Sequence, residues 1–166
     1  MDLREQINKE LNEAFKGKEE LKVSVLRMLT AALLNKEKEK RYKISKENSS
    51  MEEKELAEKS ALSNEEVVDV ISSEVKKRKE SAQEYEKAGR TELAEKEKKE
   101  TEILQKYLPE QLSEEEVKKL VQEAIQQTGA KDQKDMGKVM GALMPKVKGK
   151  ADGGLVSKIV KELLTS

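Results

Sequence analysis

Residues 63–109 read SNEEVVDVISSEVKKRKESAQEYEKAGRTELAEKEKKETEILQKYLP, and this stretch decides the fold. Ser63 with Glu66 three positions on is a capping box, in which each side chain accepts the other residue's free backbone N–H at a helix start. Val67, Val70, Ile71, Val75, Ala82 and Tyr85 then recur at helical spacing and predict a helix over about residues 64–88. Gly89 stops it. A second helix begins near Thr91 and runs to Leu108, because Pro109 disfavours helical backbone in the residue before it. With only Gly89 and Arg90 between them, the two helices fold back as an antiparallel hairpin.

The hairpin seam has charge where apolar residues are expected. Stepping at helical spacing from Leu93 meets Glu97 and Glu100 before Leu104 and Tyr107, and the facing helix offers Arg78 beside Lys76 and Lys77. Arg78 is therefore expected across from Glu97 or Glu100, with charge pairing in place of apolar packing. Two accounts stay open: a solvated stalk with surface ion pairs worth ~0–1 kcal/mol each, or a functional charged face.

Before the hairpin, Asp2 and Glu5 form another capping box, followed by an apolar stripe of Leu3, Ile7, Leu11, Ala14 and Phe15 and a stop at Gly17. A second helix over about 19–41 carries Leu21, Val25, Met28, Leu29, Ala32 and Leu33. Residues 43–62 are rich in Ser, Lys and Glu with scattered apolar points, and read as a mobile connection with at most a weak helical turn or two in 51–60.

Beyond Pro109, Ser113 and Glu116 open a helix with Val117, Leu120, Val121, Ala124 and Ile125 on one face, ending at Gly129. Two short helices follow, about 136–144 with Asp135 as cap and about 154–165 with Asp152 as cap; Pro145 and Gly149 bracket the loop between them. The expected architecture is all-α. An N-terminal helical domain over 1–108 holds the hairpin and the connection at 43–62, and a small three-helix module occupies 110–166. Gly137 and Gly141 lack the preceding strand of a dinucleotide fingerprint or phosphate loop and are assigned to close helix packing. Met136, Met140 and Met144 read as core filler.

Composition excludes much chemistry. The chain has no Cys and no His, which removes disulfides, thiol nucleophiles, thiolate or imidazole metal sites and the Ser-His-Asp triad. No catalytic set, metal site or cofactor site is expected. No apolar run approaches the ~20 residues that span a bilayer, and the acidic start Met1-Asp2-Leu3-Arg4-Glu5 is unlike a secretory signal. A soluble, cytoplasmic protein without membrane contact is the expectation.

Charge is balanced at 34 basic and 34 acidic residues, but it is segregated along the chain. Residues 136–161 hold six Lys and one acid, Asp152. Lys138, Lys146, Lys148, Lys150 and Lys158, with Gly149 and Gly153, are the candidate phosphate-binding residues: lysines supply charge, glycines allow close backbone approach, and a helix N-terminus offers N–H groups. The alternative is that the glycines serve turns, Asp152 is an ordinary cap and the lysines keep the module soluble. Phe15, Tyr42, Tyr85 and Tyr107 form no base-stacking platform, which favours folded RNA over single strands; no DNA contact is expected.

The sequence resembles the YqeY-like (GatB/YqeY) family along nearly its whole length. The resemblance rests on Leu26-Arg27-Met28-Leu29 with Ala31-Ala32, Lys76-Lys77-Arg78-Lys79 with Tyr85, and Ala88-Gly89-Arg90 with Leu93-Ala94. It continues through Glu97, Glu100, residues 107–113 (YLPEQLS), 135–140 (DMGKVM) and 145–153 (PKVKGKADG). It implies a C-terminal module similar to the tail domain of the B subunit of glutamine-dependent aminoacyl-tRNA amidotransferase, which helps hold tRNA. The resulting expectation is a non-catalytic accessory protein that binds tRNA or a tRNA-handling enzyme through that module. A protein–protein adaptor using the charged hairpin is one alternative. Carbon–nitrogen ligase activity with glutamine as amido-N-donor is the other, by family association alone.

Overall fold

The computed structural model describes residues 2–164 and is all-helical over them, without strands. Eight α-helices are present among the described residues: α1 (Leu3–Lys16), α2 (Glu20–Glu47), α3 (Glu53–Ser60), α4 (Asn64–Lys87), α5 (Thr91–Gln105), α6 (Glu114–Thr128), α7 (Met136–Val147) and α8 (Gly153–Leu164). The chain divides into two compact units between Tyr107 and Leu108.

In the first unit, α4 and α5 form the antiparallel hairpin. Its tip is a Schellman turn: Gly89 takes φ +69°, its N–H bonds the Glu86 carbonyl, and the Arg90 N–H bonds the Tyr85 carbonyl at 2.8 Å. The left-handed backbone is why glycine stands there. Val67, Ile71, Val75 and Ala82 on α4 are buried, as are Ala94, Leu104 and Tyr107 on the returning chain. Helix α2 adds Val25, Leu26, Leu29 and Leu33 to the same core, each at ~1.5–3 kcal/mol for a fully buried side chain. Helix α1 begins on the Asp2–Glu5 box, buries Ile7 and Ala14, and is tied to the α4 N-terminus by the Leu3 N–H donating to the Asn64 carbonyl oxygen Oδ1.

Several expectations are corrected here. Phe15 leaves the stripe of α1 and is 64% exposed, with the Arg27 guanidinium 5.7 Å from its ring centroid. Helix α1 does stop at Gly17, its C-cap; the left-handed position falls one residue later, on Lys18 at φ +57°. On α2 the buried register runs through Leu26 rather than Met28. The 43–62 connection is largely helical: α2 continues to Glu47, and α3 buries Leu56 and Ser60. Its scattered apolar points are anchors, with Leu62 buried after the helix. Lys40 of α2 holds this segment by donating to the Ala61 carbonyl at 2.9 Å and pairing with Glu66 at 2.7 Å, and Arg41 pairs with Glu53.

The second unit has a core made wholly of aliphatic residues: Val117, Val121 and Ala124 on α6, Val139, Leu143 and Val147 on α7, and Val156, Ile159, Val160 and Leu164 on α8. Gly129 ends α6 in the left-handed conformation at φ +65°. Helix α7 runs through Pro145 to Val147, three residues past its expected end. Pro145 sits in the last turn, so its missing N–H costs one intrahelical bond, while Val147 gains full burial. Asp135 does not cap α7 with its side chain; its Oδ2 accepts from the Lys131 N–H at 3.1 Å instead. Gly137 and Gly141 are not packing positions, since a Cβ built on either meets nothing within 4 Å. Met136 and Met140 pack on the core, whereas Met144 is exposed. The last helix was expected to reach 165; Thr165 lies outside the described residues.

Candidate nucleic-acid interface

The corner between α7 and α8 is built on backbone bonds. After Val147, the N–H groups of Lys150 and Ala151 both donate to the Val147 carbonyl, at 2.9 and 3.0 Å. Gly149 turns the chain at φ +73°. Residues before α6 brace the corner from the other side: the Leu112 N–H donates to the Lys150 carbonyl at 2.8 Å, and the Gln111 Nε2 donates to the Gly149 carbonyl at 2.7 Å. The turn is thereby held at both ends, and Lys146, Lys148 and Lys150 project from it exposed to solvent. Lys146 and Lys150 form no ion pair with a described residue.

The structure does not bring all five candidate lysines together equally. Lys138 lies about 12 Å of helix before Lys146 and pairs with Asp135 at 2.8 Å. That contact raises the Lys138 pKa and lowers that of Asp135. Lys158 stands in α8 with Glu162 3.9 Å away. Lys146, Lys148 and Lys150 are near neighbours along the chain at the corner, with Lys148 itself engaged, whereas Lys138 and Lys158 stand farther along the flanking helices, each facing an acid. At the α8 start Asp152 Oδ1 accepts the Leu155 N–H at 3.0 Å, so the cap position is occupied by a carboxylate. Gly153 is open to solvent, with nothing within 4 Å of a built Cβ. Gln111 is the residue that sequence reading missed; nothing in its local pattern points to a partner 38 residues away.

The hairpin charges are arranged differently. Arg78 is 8% exposed and Glu100 5% exposed, and Arg78 Nε meets Glu100 Oε2 at 3.1 Å. Arg78 Nη1 donates to Glu74 Oε2 at 2.8 Å and to the Glu74 carbonyl at 3.2 Å, while Nη2 reaches the Met28 sulfur at 3.9 Å. Glu97 makes no direct ion pair with Arg78. Burial, and then the neighbouring Glu100 charge, push its pKa up despite the attraction of Arg78. For Glu74, burial pushes upward, but contacts with Lys77 and Arg78 outweigh it and leave the pKa lowered. Glu74 was legible as the i−4 partner of Arg78. At the foot of the hairpin the Tyr107 hydroxyl donates to Glu10 Oε2 at 2.7 Å. Burial, followed by that carboxylate, raises the Tyr107 pKa.

Fold and corner together define a two-unit all-helical protein in which a charge-stapled hairpin precedes a small module bearing a lysine-rich turn. The chain belongs to the Yqey-like protein family, whose pattern matches residues 36–164. No curated protein matches it. No described helix is long and apolar enough to cross a membrane.

Proposed function

We propose that the protein is a non-catalytic, cytoplasmic accessory factor that holds tRNA, or a tRNA-handling enzyme, on the α7–α8 corner. The observation that carries this is the clustering of Lys146, Lys148 and Lys150 on a turn whose carbonyls are fixed by Gln111 and Leu112. A turn held in place loses little conformational freedom on binding, so more of the charge attraction appears as affinity. Backbone phosphates of folded RNA suit such a site because lysines act as point charges without base specificity. Asp152 already fills the α8 cap, so the phosphate sits beside the helix start, on the lysines. Membership of the Yqey-like family supports an accessory role related to tRNA amidotransferases. The inward-facing Arg78 and Glu100 weigh against the hairpin as the contact element, because these charges are spent holding α4 to α5. Recovering the tagged full-length protein from cells at low salt and sequencing the bound RNA tests this reading. Enrichment of tRNA is expected, and RNA recovery no higher than from an unrelated protein of equal charge contradicts it.

A further inference from the structure

Asparagine is a thermolabile residue, and the backbone around it decides how labile. The nitrogen of the following residue attacks the side-chain carbonyl carbon, which requires that this N–H be unbonded and that the intervening ψ bond be free to turn. Helical backbone blocks both: it fixes ψ at about −42° and commits each interior N–H to the carbonyl four residues back.

The chain's five asparagines divide on this criterion. Asn8 and Asn12 lie within α1 and Asn35 within α2, each followed by a residue whose N–H belongs to the helix. Asn64 opens α4, and its side-chain oxygen already accepts the Leu3 N–H at 3.1 Å. Asn48 stands outside any helix, exposed, with φ −135° and ψ 78° just past the end of α2. Its N–H donates to the Ile44 carbonyl at 2.9 Å, a bond that leaves ψ free. Its own carbonyl accepts from the Met51 N–H at 3.2 Å, closing the turn 48–51. No described residue bonds its side-chain amide, and the Ser49 N–H donates to no described backbone carbonyl. Ser49 is also exposed, with a small side chain that does not crowd its nitrogen.

We propose that Asn48 is a site of spontaneous deamidation, with water as the co-reactant. The Ser49 nitrogen attacks Cγ of Asn48 and closes a five-membered cyclic imide. The bond from Cγ to the side-chain nitrogen breaks, and that nitrogen leaves as ammonia with the proton given up by Ser49. Water then adds to one imide carbonyl or the other and opens the ring, leaving aspartate or isoaspartate at position 48. Neither step is an oxidation or a reduction. Both products add a carboxylate to the turn, and isoaspartate also lengthens the backbone between α2 and α3. The Asp152–Gly153 pair has the sequence for a similar ring closure, but Asp152 Oδ1 accepts the Leu155 N–H at 3.0 Å and Gly153 begins α8, so that carboxylate is engaged as a cap. Ring closure there would expel water and leave the mass unchanged after reopening, which keeps the two reactions distinguishable.

The test is to age the full-length protein in warm, mildly alkaline buffer and follow its tryptic peptides by mass spectrometry. Peptide 47–54, released by cleavage after Lys46 and Lys54, should gain the mass of an OH in place of an NH2 and split into an aspartate and an isoaspartate peak. Conversion at Asn48 should run at least tenfold faster than at Asn8, Asn12, Asn35 or Asn64. In concentrated urea the helical asparagines lose their protection, so the gap should narrow. Ser49→Pro removes the attacking N–H and Ser49→Val crowds it; each should slow conversion severalfold, with circular dichroism confirming that the variants stay helical. The proposal is overturned if peptide 47–54 keeps its mass, if another asparagine converts as fast in the folded protein, or if Ser49→Pro converts as wild type does. An unchanged gap in urea would also overturn it, because sequence rather than the fold would then set the rates.

Discussion

Replacing Arg78 by Ala strands a buried carboxylate, and the structure sets the size of the loss. Glu100 is 5% exposed and loses the Nε contact at 3.1 Å. Glu74 loses its 2.8 Å contact but keeps Lys77 at the same distance, so its share is small. Removing one member of a buried pair costs ~3–5 kcal/mol, and the surviving partner of Glu74 places Arg78→Ala near the lower end, ~3 kcal/mol. That is a large part of the ~5–15 kcal/mol that holds a domain folded. Arg78→Met combined with Glu100→Leu removes both charges and keeps the volume, so the double variant should recover at least ~2 kcal/mol. Because the chain has two units, one overall transition does not report on the hairpin. Amide hydrogen exchange in α4 and α5 across a urea series reads the first unit by itself. A loss below ~1 kcal/mol with no coupling to Glu100 would mean that the pair behaves as a solvated surface bridge, and the stapled-hairpin account would fail.

Glu97→Gln should stabilise the first unit slightly at neutral pH, by less than ~1 kcal/mol. A raised carboxyl pKa means that the folded state holds the proton more tightly, so wild-type stability falls as pH rises from the ordinary 4.5 through the raised value, and the gain should vanish below pH 4.5. Urea midpoints at several pH values measure this. Tyr107→Phe should cost ~1.5–3 kcal/mol as a lost hydrogen bond to a charged group. For Glu10, burial pushes the pKa up, but Gln6, Tyr107 and Lys22 outweigh it and lower it. Its stabilisation is therefore present above pH 4.5 and lost as pH falls through the lowered value, and Tyr107→Phe should flatten that acid limb in a pH-dependent unfolding series. Gly141→Ala should stabilise the second unit by ~0.5–1 kcal/mol, since the site is helical and a Cβ meets open space. A loss in its thermal midpoint would show that the glycine is needed for close approach.

The helices were legible where local signals agree with packing. The Ser63–Glu66, Asp2–Glu5 and Ser113–Glu116 boxes all mark observed helix starts, because a cap is a contact between near neighbours. The 43–62 segment was not legible: Leu56 and Leu62 are isolated in sequence and become anchors only against α2, with Lys40 closing the junction through a residue 26 positions on. Leu26 shows the same limit, since the register of α2 against its neighbours decides which side of the helix is covered. At the site, the lysine cluster around Gly149 could be read from sequence. Which lysines are already held by acids, and the bracing of the turn by Gln111 and Leu112, depend on long-range geometry.

The central claim is that the α7–α8 corner holds RNA through phosphate contacts. Titrating labelled tRNA with the full-length protein and with the Lys146→Ala/Lys148→Ala/Lys150→Ala variant, each across a range of salt concentrations, tests it directly. The account predicts that the variant binds more weakly at low salt and that its plot of log affinity against log salt is shallower by about 2–3, one counterion release for each lysine removed. Equal affinities and slopes for the two proteins, or no binding by wild type at low salt, would contradict it.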